Sequence, residues 1–168
     1  MRKELIVFAL IAGCSRGDDA ANNQPSPGAP REAPGAHRPT GRLKGLTGLY
    51  QSGDPRSPSR LCIVEHRRTA EFGLVIRGPG AASCSGSGSV RRIGRQLRFT
   101  MAGDSRCTLN ATIDRMSIVM PATAPPGCAY YCGSPARLTG VRLAQNGGTS
   151  QAAMRAKDLV GEPLCSDE

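Results

Sequence analysis

Cysteine is the residue type with the greatest capacity for chemistry in this chain of 168 residues, which contains seven of them. Cys14 lies near the N-terminus, and the other six form an even set that can pair completely. Such cysteines persist as disulfides in an oxidising compartment, although their spacing alone does not decide the pairing. We predict disulfides rather than buried free thiols for Cys62, Cys84, Cys107, Cys128, Cys132 and Cys165.

Two of the six cysteines form a C-x-x-x-C motif, Cys128-Ala-Tyr-Tyr-Cys132. This spacing is similar to that of copper-delivery proteins of the thioredoxin fold, which would imply a metal or redox site. No strand–helix–strand pattern surrounds the motif, and the other cysteines compete as partners, so the sequence favours structural disulfides. Three methionines could serve as soft copper ligands, but they fall on apolar faces of predicted strands, which favours core packing. They are Met101, Met116 and Met120. We predict no metal and no cofactor.

His66 is the only histidine of the predicted folded part and the main candidate for acid–base catalysis. It lies between Glu65 and two arginines, and neither a G-x-S-x-G motif nor a zinc-type histidine pair accompanies it. We expect it in a solvated turn. The run S-C-S-G-S-G-S at 83–89 lacks the Lys-Ser/Thr pair of a phosphate loop, so we expect an irregular or bulged strand. The sequence predicts no catalytic residues and a protein that is not an enzyme.

The N-terminus, M-R-K-E-L-I-V-F-A-L-I-A-G-C, has the layout of a secretory signal. Arg2 and Lys3 form a basic start, an apolar run follows from Leu5 to Ala12, and small residues precede Cys14. A helix that spans a bilayer needs roughly 20 apolar residues, and this run is much shorter. We predict a signal peptide at 1–13 and therefore an exported protein.

The ending I-A-G-C resembles the lipobox of bacterial lipoproteins. The resemblance implies that Cys14 becomes the mature N-terminus and carries a diacylglycerol and an amide-linked acyl chain. Two or more chains are enough for stable membrane attachment. Ser15 follows the cysteine, where the sorting rule of many two-membrane bacteria places Asp for inner-membrane retention. We therefore expect an outer-membrane lipoprotein that faces the periplasm, with the inner membrane as the alternative.

An excess of basic residues gives the chain a formal net charge of +9. Six arginines fall in neighbouring predicted strands and turns, where a positive patch would attract polyanions. Export and an aromatic content of 4% disfavour nucleic acid as the partner, because single strands bind by stacking on aromatic side chains. We expect lipid A phosphates, phospholipid headgroups or acidic envelope polymers as ligands, with an ordinary solvated face as the alternative. The six are Arg67, Arg68, Arg91, Arg92, Arg95 and Arg98.

Residues 14–44 separate the predicted anchor from the part that folds. This stretch is rich in Pro, Asp, Asn, Gly and Ala and shows no apolar periodicity before Leu43. Such a segment buries too little apolar surface to offset the entropy lost on ordering. We predict a disordered, Pro-rich tether at 14–44 and one folded domain at 45–168.

Short runs of alternating apolar and polar residues, separated by turn residues, fill most of 45–168. This pattern is typical of an antiparallel sandwich or barrel. We predict an all-β domain, a small antiparallel up-and-down barrel or sandwich of six to eight strands stapled by disulfides. The expected strands are 46–51, 60–65, 70–77, 84–93, 96–101, 106–113, 116–120 and 136–143.

The apolar period changes near the C-terminus. Thr149 or Ser150 can cap a helix, and apolar residues then recur at helical spacing up to Leu159 and Val160. Gly161 and Pro163 would end it. We expect one helix that packs on the sheet, with Cys165 holding its end in place.

If the strands alternate in direction, five of the cysteines meet at one edge. Cys62, Cys84 and Cys107 come near the starts of even-numbered strands, and Cys128 and Cys132 follow the seventh. We expect Cys62–Cys84, a bond from Cys107 to Cys128 or Cys132, and a bond from the remaining cysteine to Cys165.

Several segments of the folded part resemble small exported lipoproteins of unknown function from two-membrane bacteria. They are G-L-Y at 48–50, L-C-I at 61–63, F-G-L-V at 72–75, A-G-D-S-x-C at 102–107, C-A-Y-Y-C-G at 128–133 and D-L-V-G-x-P-L-C at 158–165. The resemblance covers most of the domain and implies no activity. Envelope lysozyme inhibitors are also small β-barrel lipoproteins, but their Ser-Gly loop before a closing Tyr is absent, and a basic protein would be repelled by cationic lysozyme.

The sequence therefore favours a non-catalytic, lipid-anchored envelope protein that acts as a structural or binding module. The alternative is an inhibitor or sensor that binds another envelope protein.

Overall fold

Eight antiparallel strands close into a single up-and-down barrel. The computed structural model describes residues 45–166, so the signal peptide, Cys14 and the tether at 14–44 lie outside the described residues. The strands are β1 Gly48–Ser52, β2 Ser59–Glu65, β3 Ala70–Arg77, β4 Ser83–Ile93, β5 Gln96–Met101, β6 Asp104–Asp114, β7 Ser117–Val119 and β8 Arg142–Gly147. The predicted all-β class and the up-and-down barrel are confirmed, and β1 closes the barrel by pairing with β8.

Alternation along each strand separates a packed interior from a polar exterior. In β5, Leu97, Phe99 and Met101 are buried and Arg98 is exposed. The rings of Phe72 and Phe99 meet edge to face with their centroids 4.9 Å apart. The interior of a small barrel of this size is just wide enough to be filled by side chains, so the core supplies stability and ligands must be sought outside it.

The glycine-rich strand β4 is regular, which differs from the irregular strand expected at 83–89. It pairs residue by residue with β3, from Glu71 opposite Ser89 to Arg77 opposite Ser83. A Cβ at Gly86 would lie 3.0 Å from the sulfur of Met101 and 3.2 Å from the ring of Tyr131. Glycine here makes room for large neighbours without a bulge.

The barrel has two ends of different character. One end carries the turns at 65–70, 93–96 and 114–117 together with Gly45–Thr47, and we call it the arginine end. The other carries the starts of the even-numbered strands and the long segment 120–141, which contains a 3₁₀ helix, Pro126–Tyr131. We call it the disulfide end, because Cys84 bonds to Cys132 and Cys107 bonds to Cys128 there.

Cys107–Cys128 was one of the two pairings expected for Cys107, but the other two expected pairs were wrong. Cys62 bonds to Cys165, not to Cys84. The side chain of Cys62 packs with Val64 and Cys165 in a cluster outside the barrel, whereas Cys84 belongs to the interior core. Two cysteines on opposite faces of a sheet cannot bring their sulfurs together, although both strands start at the same end.

A single short helix, α1 Ser150–Met154, packs on the outside of the barrel. The Thr149 side chain accepts a hydrogen bond from the backbone N–H of Ala152, as predicted for an N-cap. Buried Ala152, Ala153 and Ala156 pack against Leu49, Cys62 and Val64. The helix and the Cys62–Cys165 bond together cover the exterior of β1 and β2.

The helix ends at Met154, earlier than expected, and the predicted helical residues Leu159 and Val160 are exposed. Beyond the helix, the Asp158 Oδ1 accepts hydrogen bonds from the backbone N–H groups of Val160 and Glu162 and holds residues 158–162 in a bend. An aspartate side chain that bonds to nearby backbone offers the chain an alternative to the helix. The chain turns back, and the Leu164 N–H reaches the Ala156 carbonyl at 2.9 Å.

The eighth strand begins later than predicted. Ala136 and Leu138 are buried in the core from within a loop, and β8 comprises Arg142–Gly147. Their burial produced the apolar pattern at 136–143, whereas the polar residues of β8 concealed the strand.

The three disulfides should differ in their contribution to stability. They link residues 103, 48 and 21 positions apart, and the loop-closure entropy removed from the unfolded chain grows with loop length. Replacing both cysteines by Ala should cost about 1.4 kcal/mol more for Cys62–Cys165 than for Cys107–Cys128, with Cys84–Cys132 between them. Urea unfolding of the three double variants measures this order, and a reversed order would contradict the loop-closure explanation.

Candidate anion-binding site

Four of the six predicted arginines lie together at the arginine end. Arg67 and Arg68 occupy the turn between β2 and β3, and Arg91 and Arg92 lie near the end of β4. They line one cavity of about 430 Å³, which we call the arginine cavity. Its remaining lining residues are Leu46, Glu65, His66, Thr69, Ala70, Ser89 and Val90.

Hairpin geometry produces this convergence. The backbone N–H of His66 donates to the Thr69 carbonyl at 2.8 Å and closes the β2–β3 turn, so the two arginines between them are exposed. Strand β4 pairs with β3 and extends beyond it to Ile93. The extra residues of β4 therefore lie beside the turn.

The other two predicted arginines lie outside the arginine cavity. The Arg95 guanidinium donates two hydrogen bonds to the Ile113 carbonyl, both 3.2 Å long. Arg98 lies opposite Arg91 in the β4–β5 register and extends the positive charge onto the outer face of the sheet. The sequence grouped all six by proximity along the chain, but Arg98 lies on the next strand and the Arg95 guanidinium is directed to Ile113, so neither lines the cavity.

Among residues 45–166, none of the four arginines that line the cavity forms an ion pair with a carboxylate. The ion pairs found there are Arg106–Asp104 at 3.2 Å and Arg142–Asp114 at 2.7 Å. The backbone N–H and then the side chain of Arg106 lower the pKa of Asp104, and the hydrogen bond from Arg142 lowers that of Asp114. Both carboxylates are engaged outside the cavity.

Glu65 is the one carboxylate that lines the cavity, and it is occupied by the backbone. Its Oε2 accepts from the N–H of Leu46 at 2.6 Å and from that of Thr47 at 3.1 Å. The Thr47 hydroxyl in turn accepts from the Glu65 N–H at 3.0 Å. These bonds attach the first described residues to the end of β2, so the preceding chain joins the barrel at the arginine end.

Tyr50 holds the same junction from inside the barrel. Its hydroxyl donates to the Leu46 carbonyl at 2.7 Å, and both residues are buried. Burial raises the pKa of Tyr50 far above its usual range, and the negative charge of Glu65 raises it further. The hydroxyl therefore stays protonated and keeps its donor role.

Sequence reasoning missed Glu65 and Tyr50 as organising residues. The sequence contained a signal for Glu65, because it lies two residues after Ile63 and four after Leu61, on the face of the strand where both are buried. A charged residue at an inward position beside a strand end indicates a backbone partner.

His66 is less solvated than the sequence suggested. It lies in the predicted turn, but its Nε2 atom is buried and has no hydrogen-bond partner among the described residues. Buried polar side-chain atoms are mostly paired with protein or ordered water, so this nitrogen is an exception.

The C-x-x-x-C motif does not present a pair of thiols. Cys132 and Cys128 are bonded to Cys84 and Cys107, which consumes the sulfurs that copper would require. Met101 and Met120 are buried in the core, and Met116 packs against it, as predicted. Within residues 45–166, no group of three or more His, Cys, Asp or Glu residues is placed to hold a metal ion.

No protein-family model matches this chain, and neither a curated protein nor a solved structure is significantly similar to it. In the part of the chain that the structure describes, no helix has both the length and the apolar character needed to span a bilayer. The function is therefore argued from the residues and their geometry.

The hydrogen bond of Tyr50 leads to a stability prediction. Tyr50→Phe leaves the buried Leu46 carbonyl without its donor, and the free energy of unfolding should fall by about 1–3 kcal/mol. Tyr130→Phe is the matched control, because Tyr130 is 88% exposed and its variant should unfold as the wild type does. Equal urea midpoints for the two variants would show that the Tyr50 hydroxyl does not stabilise the junction.

Proposed function

We propose that this chain is a non-catalytic envelope protein, held by lipid on Cys14 at the periplasmic face of the outer membrane, whose arginine end binds anionic groups of that membrane or of envelope polymers. The observation that carries the proposal is the convergence of Arg67, Arg68, Arg91 and Arg92 on one cavity. That cavity lies at the end where the chain from Cys14 joins the barrel.

The junction supports a membrane-facing orientation of the arginine end. Leu46, the second described residue, lines the cavity, and the Glu65 carboxylate fixes it there. A lipid on Cys14 would tether the barrel by this end and raise the local concentration of headgroups around the arginines. Basic residues near an anionic surface each contribute about 1 kcal/mol of binding free energy.

The lining residues suit binding better than catalysis. They supply four guanidinium groups, the hydroxyls of Thr69 and Ser89, one imidazole and one carboxylate. The carboxylate of Glu65 is bonded to the backbone, so it is poorly available as a general base. Guanidinium groups recognise phosphate and carboxylate oxygens by paired hydrogen bonds.

A second candidate function is binding to another envelope protein through the disulfide end. Tyr130 is 88% exposed there and packs edge to face with Tyr131 at 5.7 Å. Exposed tyrosines on a rigid support are frequent anchors of protein interfaces. The two candidate functions use opposite ends of the barrel, so variants at one end separate them from each other.

Lipidation is tested by Cys14→Ala. The variant should lose labelling by a fatty-acid analogue and leave the membrane fraction, because no acyl chain can form on alanine. Ser15→Ala is the control and should be labelled as the wild type is. An unlabelled wild-type protein would contradict the anchor.

Binding by the arginine end is tested on residues 15–168, which carry no acyl chain, with vesicles that contain phosphatidylglycerol, because a lipidated chain would insert into any vesicle. Binding should weaken steeply between low and physiological salt, since the Debye length falls to about 8 Å. Arg67→Ser/Arg68→Ser should remove most of it, and Arg91→Ser/Arg92→Ser should do the same.

The matched control for the vesicle experiment is Arg77→Ser/Arg137→Ser. This variant loses two positive charges, as the other two variants do, but at the disulfide end, because Arg77 ends β3 and Arg137 lies in the segment 120–141. This variant should bind as the wild type does. Equal losses for both pairs would show that only net charge matters, and absent binding would refute the anionic-surface function.

A further inference from the structure

An aliphatic side chain is exposed among the basic residues of the arginine end. Ile93 is the last residue of β4 and is 57% exposed. It lies in the run R-R-I-G-R at 91–95, so arginines flank it on both sides. Isolated exposed aliphatic residues are common on protein surfaces, so the position of Ile93 carries the argument, and its exposure alone does not.

The hairpin formed by β4 and β5 holds Ile93 at its tip. Ile93 pairs with Gln96, which leaves a loop of two residues, and Gly94 has a φ of 63°, which suits the first central position of a type II′ turn. The Arg92 Nε donates to the Gly94 carbonyl at 3.0 Å, and the Arg95 guanidinium is bonded to a carbonyl of β6. These bonds fix the shape of the tip, so the isoleucine stays presented to the surroundings.

The exposed aliphatic residues elsewhere among residues 45–166 have a different electrostatic setting. Leu159 and Val160 are 45% and 81% exposed in the bend that follows α1. The segment 157–162 around them contains two acidic residues and one basic residue, whereas 91–95 contains three arginines and no acidic residue. An anionic lipid surface attracts basic segments. It would therefore draw Ile93 toward itself but not Leu159 or Val160.

A bilayer interface suits a tip that is both basic and apolar. Interfacial binding grows with the apolar area that is buried among the lipids and with the attraction of basic residues to anionic headgroups. An arginine can lay its stem along apolar surface while its guanidinium stays in the polar layer. A soluble acidic polymer offers similar charges but no apolar layer, so it would leave Ile93 in water.

We propose that the β4–β5 hairpin inserts Ile93 into the interface of an anionic bilayer while the neighbouring arginines bind the headgroups. Insertion rests on the proposed function, because it assigns a lipid surface, rather than an envelope polymer, to the same end of the barrel. The described chain starts at that end, where Glu65 bonds to Leu46. A lipid on Cys14 would therefore hold the hairpin close to the bilayer.

Insertion can be detected by fluorescence, because the chain contains no tryptophan. In residues 15–168, Ile93→Trp introduces a single indole at the tip. Vesicles that contain phosphatidylglycerol should shift its emission to the blue, and brominated acyl chains should quench it. Val160→Trp is the matched control, since Val160 is exposed on the bend after α1, and its emission should not change on binding.

The contribution of the apolar contact is measured with Ile93→Ser in the same chain. Vesicle binding should weaken about tenfold, the loss expected when about half of an aliphatic side chain is no longer buried. Ile93→Leu and Val160→Ser should bind as the wild type does. The ratio between wild type and Ile93→Ser should persist as salt rises, because salt screens charges and does not remove apolar burial.

Soluble polyglutamate provides the comparison without an apolar layer. Ile93→Ser should bind it as the wild type does, because only the arginines would contact it. Urea unfolding verifies that each variant is folded.

The outcomes distinguish insertion from the proposed function. Vesicle binding with no blue shift and no effect of Ile93→Ser would overturn insertion and leave anionic binding by the arginines standing. A blue shift of equal size on neutral phosphatidylcholine vesicles would support insertion and refute the anionic-surface function. An equal loss of vesicle and polyglutamate binding in Ile93→Ser would show that the isoleucine only shapes the hairpin, which would overturn insertion.

Discussion

Closure of the sheet is the constraint on which the rest of this domain depends. Because β1 pairs with both β2 and β8, every strand is bonded on two sides and the barrel has no free edge. In a closed barrel, the side chains of each strand point either into the interior or to the exterior. The interior becomes a filled core of aliphatic and aromatic residues, and all specific chemistry is left to the exterior and the two ends.

The small core explains why the cysteines matter so much. Aromatic residues make up 4% of the chain and tryptophan is absent, so few large side chains fill the barrel. Two disulfides attach the loop-rich segment 120–141 to β4 and β6, and the third fixes the C-terminal segment on β2. Two of the three bonds therefore cross-link the disulfide end.

The strands could be predicted from the sequence because period-two alternation is a local property, and β3 and β5 were predicted with the bounds that the structure shows. The disulfide pairing could not be predicted in full, because the face on which Cys62 lies depends on what covers β2. Likewise, the sequence located the arginines in adjacent hairpins but could not show that Arg95 bonds to Ile113. The burial of His66 Nε2 is a tertiary property, which no local sequence pattern reports.

The attachment of the chain beside Glu65 has a mechanical consequence. Strand β1 starts at the arginine end and runs along the barrel between β2 and β8. Ladder hydrogen bonds between antiparallel strands lie perpendicular to the strand direction. A pull along the chain from residue 45 therefore acts lengthwise on β1 and shears its bonds to both neighbours together, instead of opening them one at a time. The barrel is oriented to resist force transmitted from its own N-terminal side.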